Sequence, residues 1–179
     1  IPIENHKTFI NSETYRIAVK MDKLLQKLLQ PVSAELDGKC SILIPSSTFN
    51  TVFLAFHAAQ HYARGLALHH LCDWACLLNR YGLHIPEEVT DIRFRNMMLA
   101  MTHLCNDYLG TSVPVYGGEG LAEEILWEII RPPYTKFVPA KNKWSILVYK
   151  TKRMLHTHRV CNSVLRISLC KWVGNSILL

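Results

Sequence analysis

Nowhere in these 179 residues is there an apolar run of the about eighteen or more that a membrane span requires, so no transmembrane helix is expected. None of the six cysteines (Cys40, Cys72, Cys76, Cys105, Cys161, Cys170) forms a Cys-x-x-Cys pair, which argues against a zinc knuckle. Three of them fall on apolar helix faces, so the expectation is reduced, mostly buried thiols in a cytoplasmic protein rather than a disulfide framework. Internal repeats and low-complexity tracts are missing. So are an initiator Met before Ile1 and a charged-then-apolar signal pattern, and the chain reads as a fragment.

Acidic residues are missing from the last third. All 14 Asp and Glu lie at or before Glu128, whereas ten Lys and Arg follow Ile129, within a net charge of +6. Such a segment either attracts a polyanion (nucleic acid, nucleotide phosphates or an anionic surface) or docks on the acidic body of the same chain. The charge pattern alone leaves both open.

What is present is mostly helical period. A helix is expected from an N-cap at Asn11-Ser12 to about Leu29, ended by Pro31. Cys40 to Ile44 reads as a short β run between Gly38 and Pro45. Ser46-Ser47-Thr48 should cap a helix with Phe49, Val52, Phe53, Phe56, Ala59 and Ala63 on its buried face. After Arg64-Gly65, a second helix should bury Leu68, Leu71, Cys72, Ala75 and Leu78 and close at Gly82. A helix opened by Thr90 and stopped by Gly110 carries Met97, Met98 and Met101 as core filler. A Pro/Gly-rich loop, a short helix over Leu121–Ile130 and basic helices over about Trp144–His158 and Asn162–Trp172 complete a mainly α-helical chain.

The two helices between Phe49 and Gly82 also carry polar stripes: Asn50, His57, His61 and Arg64 on the first, His69, Asp73 and Arg80 on the second. His57-Ala58-Ala59-Gln60-His61 has the spacing that puts two imidazoles on one face, as metalloproteases need. Ala58 stands where their catalytic Glu would be, so that chemistry fails. His69-His70 with Asp73 does not supply the adjacent His-Asp pair of a metal-dependent phosphohydrolase, and His69–Asp73 reads more simply as a helix-supporting pair. Two Arg-x4-His spacings, Arg64 to His69 and Arg153 to His158, match the loose signature of HEPN-type ribonucleases. Gly117-Gly118-Glu119-Gly120 lacks the strand and the Lys-Ser/Thr of a phosphate loop.

The segment Pro45 to Arg80, with Phe49-Asn50, Phe53-Leu54, His57, His61, Gly65 and Leu71-Cys72-Asp73-Trp74-Ala75, resembles the helical region of a large bacterial family of uncharacterised nucleotidyltransferases. That family is related to the polymerase-β-like minimal fold. Ile3-Glu4-Asn5-His6-Lys7 is similar to its last acidic strand motif, and the resemblance covers roughly residues 1 to 110.

The resemblance implies a helical bundle with a small β remnant, the C-terminal part of a minimal nucleotidyltransferase fold. Residues 1–12 would be the last strand of a truncated core, 13–130 a helical domain and 131–179 a basic helical tail. It implies transfer of a nucleotidyl group from an NTP to an unknown acceptor, with Mg²⁺ as cofactor. Glu4 would be a catalytic carboxylate and metal ligand, and His57, His61 and Arg64 would line the substrate cleft. The sequence departs from the family pattern in two places: it has no Gly-Ser turn followed by two strand carboxylates, and His69 stands where Arg is expected. On that reading the catalytic half lies before Ile1, and the fragment should not turn over. The rival readings are a non-enzymatic nucleic-acid-binding or interaction module, using the basic tail, and the HEPN-type ribonuclease.

Overall fold

The computed structural model describes residues 9, 16–36, 38, 40–62, 65–131, 134 and 142–165. Over these the chain is six helices and one two-stranded sheet: α1 (Arg16–Leu28), β1 (Val32–Leu36), β2 (Cys40–Ile44), α2 (Ser47–His61), α3 (Leu68–Tyr81), α4 (Ile92–Leu109), α5 (Glu119–Ile130) and α6 (Lys143–Leu165). The expected mainly α bundle with a small β remnant is therefore what the chain forms. The expected strand over residues 1–12 lies outside the described residues, apart from Phe9.

Helix α1 buries Ala18, Met21 and Leu25 at helical spacing and stops ahead of Pro31. Asp22, nearly fully buried, accepts hydrogen bonds from the Phe9 N–H (2.8 Å) and from Gln26 Nε2 (2.7 Å), so its charge is satisfied by donors. That anchor brings the Phe9 ring edge-on to Phe49, with centroids 5.0 Å apart.

The sheet is an antiparallel hairpin in which Val32 pairs with Ile44 and Leu36 with Cys40. Gly38 turns it at φ +64°. The β2 half follows the sequence pattern. The β1 half does not: Val-Ser-Ala-Glu-Leu is a weak strand former, and it becomes a strand because β2 lies alongside it.

Helix α4 is the hub, packing against α2, α3, α5 and α6. Asp91 caps its start by accepting from the Arg93 and Phe94 N–H groups, and Gly110 ends it in the left-handed region. Met97, Met98 and Met101 are fully buried, as expected of core filler. Trp74 of α3, also fully buried, donates its indole N–H to Thr102 Oγ1 (3.1 Å), which donates in turn to the Met98 carbonyl (2.9 Å). Across the α4–α5 contact, Gly118 holds φ +95°. A Cβ there would stand 2.8 Å from the Ala100 amide nitrogen, so only glycine allows this approach.

Over the described residues, the two basic helices expected after residue 143 are joined in one helix, α6, and residues 166–172 of the second lie outside the described residues. Nothing between His158 and Asn162 breaks the helical pattern, and α6 runs unbroken through that span. It docks by its apolar end, burying Val160, Cys161, Val164 and Leu165. Arg93 donates to the Asn162 carbonyl (2.8 Å), and His156 meets Glu128 of α5 at 2.7 Å. Lys143, Lys150 and Lys152 stay exposed.

Burial corrects the reading of the cysteines. Of the five described, Cys105 and Cys161 are buried, whereas Cys40, Cys72 and Cys76 are exposed. Cys40 sits on the exposed hairpin. Cys72 and Leu68 face outward because the buried side of α3 runs through His70, Leu71, Trp74, Ala75, Leu77 and Leu78. That side is rotated from the expected stripe, since the large Trp74 and Leu77 command more apolar area than Leu68 and Cys72. The rotation carries His70 inward.

Candidate functional site

The candidate site lies where α2 and α3 meet beside their connecting loop. Helix α2 is set by Ser46, whose hydroxyl accepts from the Phe49 N–H (3.2 Å) and donates to the Leu28 carbonyl of α1 (3.2 Å). With its start fixed, His57 and His61 fall one turn apart on one face, ring centroids 4.7 Å apart, and Phe53 lies one turn before His57 at 6.1 Å, nearly parallel to it.

The third member comes from α3. The Ala67 N–H donates to His70 Nδ1 (3.1 Å), a side chain reaching back from the third helical position to hold the helix start. The Ala67 carbonyl lies 3.2 Å from the same nitrogen. Held in this way, the buried His70 ring points at α2, 5.4 Å from the His57 ring and 4.8 Å from that of His61. One nitrogen from each of the three imidazoles lies within 4.8 Å of the others, the one such group of ligand side chains among the described residues.

Burial holds the His57 pKa below its ordinary value, with His70 adding repulsion; burial likewise lowers His70. Both are neutral imidazoles near pH 7, with a lone pair to offer. Asp73, exposed one turn beyond His69, opposes the shift at both. The arrangement can therefore accept hydrogen bonds or coordinate a cation, but is poorly suited to holding a phosphate by charge.

His57 and His61 come together as their spacing predicts. Arg64 and Glu4 lie outside the described residues. His69 is exposed, with its ring 3.9 Å from that of His70. The sequence reading pairs His69 with Asp73, whereas the structure turns His70 toward the α2 histidines. A histidine one turn ahead of the buried Trp74 was the available signal. Ala58 is buried, so no side chain near His57 from that position could serve as a base. Mg²⁺ takes oxygen ligands, and an all-nitrogen cluster does not fit it.

A family model described as an uncharacterised nucleotidyltransferase matches residues 1–110, which takes in α1 through α4 and the whole histidine site. No curated protein and no solved structure matches the chain.

Proposed function

Because this chain belongs to the uncharacterised nucleotidyltransferase family, we propose that it serves transfer of a nucleotidyl group from an NTP to an acceptor that carries negative charge. The observation that carries this reading is the family match over residues 1–110. Within it, the α2–α3 hairpin supplies the wall beside the substrate, with His57 and His61 on its rim; Arg64, proposed for the same wall, lies outside the described residues. The neutral His57 imidazole on that wall suits hydrogen bonding to the acceptor or the nucleotide base, and Arg64 suits the phosphates.

Glu4 is the carboxylate proposed to meet Mg²⁺, on the strength of its place in the acidic strand motif. A charged acceptor is supported by α6, where Lys143, Lys150 and Lys152 are exposed. Among the described residues no helix is long and apolar enough to cross a membrane.

The test is incorporation of an α-labelled NTP by the full-length protein in Mg²⁺, with polyanionic acceptors supplied. Glu4→Gln is expected to keep wild-type helicity and lower transfer by several orders of magnitude, since it removes a metal-ligand charge at nearly constant volume. His57→Ala is expected to raise the KM for substrate more than it lowers kcat. Transfer at the wild-type rate by Glu4→Gln would refute the role of Glu4. Failure of every NTP to bind or react would refute the proposal itself.

A further inference from the structure

We propose that His57, His61 and His70 bind a divalent transition-metal ion of the zinc type, bridging α2 to α3 with one coordination position left open. The donor set is three imidazoles from two helices, each offering a nitrogen within 4.8 Å of the others. A zinc–nitrogen bond of about 2.0–2.1 Å places tetrahedral ligand atoms about 3.4 Å apart, so closure around an ion needs shifts of about 1.4 Å or less. The exposed His57 and half-buried His61 can supply that movement by side-chain rotation, while His70 is the fixed point.

His70 is placed for such a role by its backbone contacts. Without an ion, Nδ1 accepts from the Ala67 N–H at 3.1 Å, which leaves the ring proton on Nε2. With an ion on Nε2, that proton moves to Nδ1, which then donates to the Ala67 carbonyl 3.2 Å away. No net proton is gained or lost. A ligand imidazole whose second nitrogen donates to a backbone carbonyl is the usual outer arrangement at such centres.

Imidazole nitrogen selects zinc, copper or nickel over magnesium and calcium. The site therefore belongs to an ion different in kind from the Mg²⁺ proposed for nucleotidyl transfer. His57 lies on the solvent side, so three protein ligands leave a fourth position to water or to an oxygen of a bound molecule, the open pattern of reactive rather than purely structural zinc. Asp73 stands near enough to influence both His57 and His70 and would offset part of the added positive charge.

The full chain, stripped with a chelator, is titrated with Co²⁺ and then with Zn²⁺ in the absence of nucleotide. The expected result is one Co²⁺ per chain, with the intense visible bands of a four- or five-coordinate ion, displaced by one Zn²⁺. His57→Ala and His61→Ala should each weaken Zn²⁺ binding by more than about 100-fold, beyond the roughly 10–100-fold lost when only an outer-shell partner is removed. His84→Ala and the double variant Cys72→Ser/Cys76→Ser should bind as the wild type does. The second matters because those two thiols are exposed four residues apart on the same helix.

Wild-type affinity in both His57→Ala and His61→Ala, loss of binding in the cysteine double variant, or no Co²⁺ bands at one equivalent would overturn the assignment. Metal occupancy is read without NTP, so its failure is separate from failure of the nucleotidyl-transfer reading.

Discussion

Gly118→Ala and Gly110→Ala are the same chemical change at two left-handed positions, φ +95° and φ +72°, and their costs should differ sharply. At Gly110 a new Cβ meets nothing within 4 Å, so only the backbone penalty applies, about 1–2 kcal/mol for an L residue in this region. At Gly118 the same penalty is joined by a collision, because the Cβ would sit 2.8 Å from the Ala100 amide nitrogen and 2.9 Å from Leu99 Cβ. Neither neighbour is the free end of a flexible side chain. Relief requires α5 to back away from α4, and overpacking of this kind costs about 1–3 kcal/mol. The expected destabilisation is thus about 2–5 kcal/mol at Gly118 against 1–2 at Gly110. Urea unfolding followed by circular dichroism at 222 nm reads both, provided the slopes match the wild type. A Gly118→Ala protein no less stable than Gly110→Ala would refute the close α4–α5 approach.

Thr102→Val should cost about 1–3 kcal/mol, because it strands the Trp74 indole N–H in a fully buried setting. For a chain of this size that is a fall in Tm of roughly 2–4 °C per kcal/mol, read by calorimetry. A Trp74→Phe/Thr102→Val double variant should be less damaged than the two single changes added together, and simple additivity would show that the bond contributes nothing. In native protein, peptide-resolved thiol labelling should find Cys40, Cys72 and Cys76 within the fast class and Cys105 and Cys161 in the slow one. Burial pushes the Cys105 thiol up to about 12, so its protection should persist at pH 10, where an ordinary thiol near 9.0 is ionised. The sign follows from the raised value: the contribution of Cys105 to stability is complete below pH 9.0 and is lost as pH rises through about 12. Fast labelling of Cys105 at pH 8 would contradict its burial.

The helices were legible where local chemistry marks them. Ser46 caps α2 and Gly110 stops α4 as their residue types suggest, while the start of α4 moves from Thr90 to a cap at Asp91 and that of α5 from Leu121 to Glu119. Strand β1 was not legible, since its residues gain their conformation from the neighbouring strand rather than from their own preference. The pairing of His57 with His61 could be read from spacing because one helix fixes both. The addition of His70 could not, because it depends on how α3 packs against α2 and on the rotation of α3 that Trp74 imposes. The exposure of Cys72 follows from that same rotation. One angular error on one helix therefore hid a site member and misplaced a thiol.

The central position of α4 separates two boundaries that might be expected to coincide. The family match ends at Gly110, immediately after α4, yet α4 is enclosed on its far sides by α5 and α6, which lie beyond that point. Ile125 of α5 and Val164 and Leu165 of α6 are fully buried, so a chain cut after Gly110 would lose them and uncover the flanks of α4 that they cover. The stretch that the family match covers is thus shorter than the packed body around α4, whose core draws on helices from beyond that stretch.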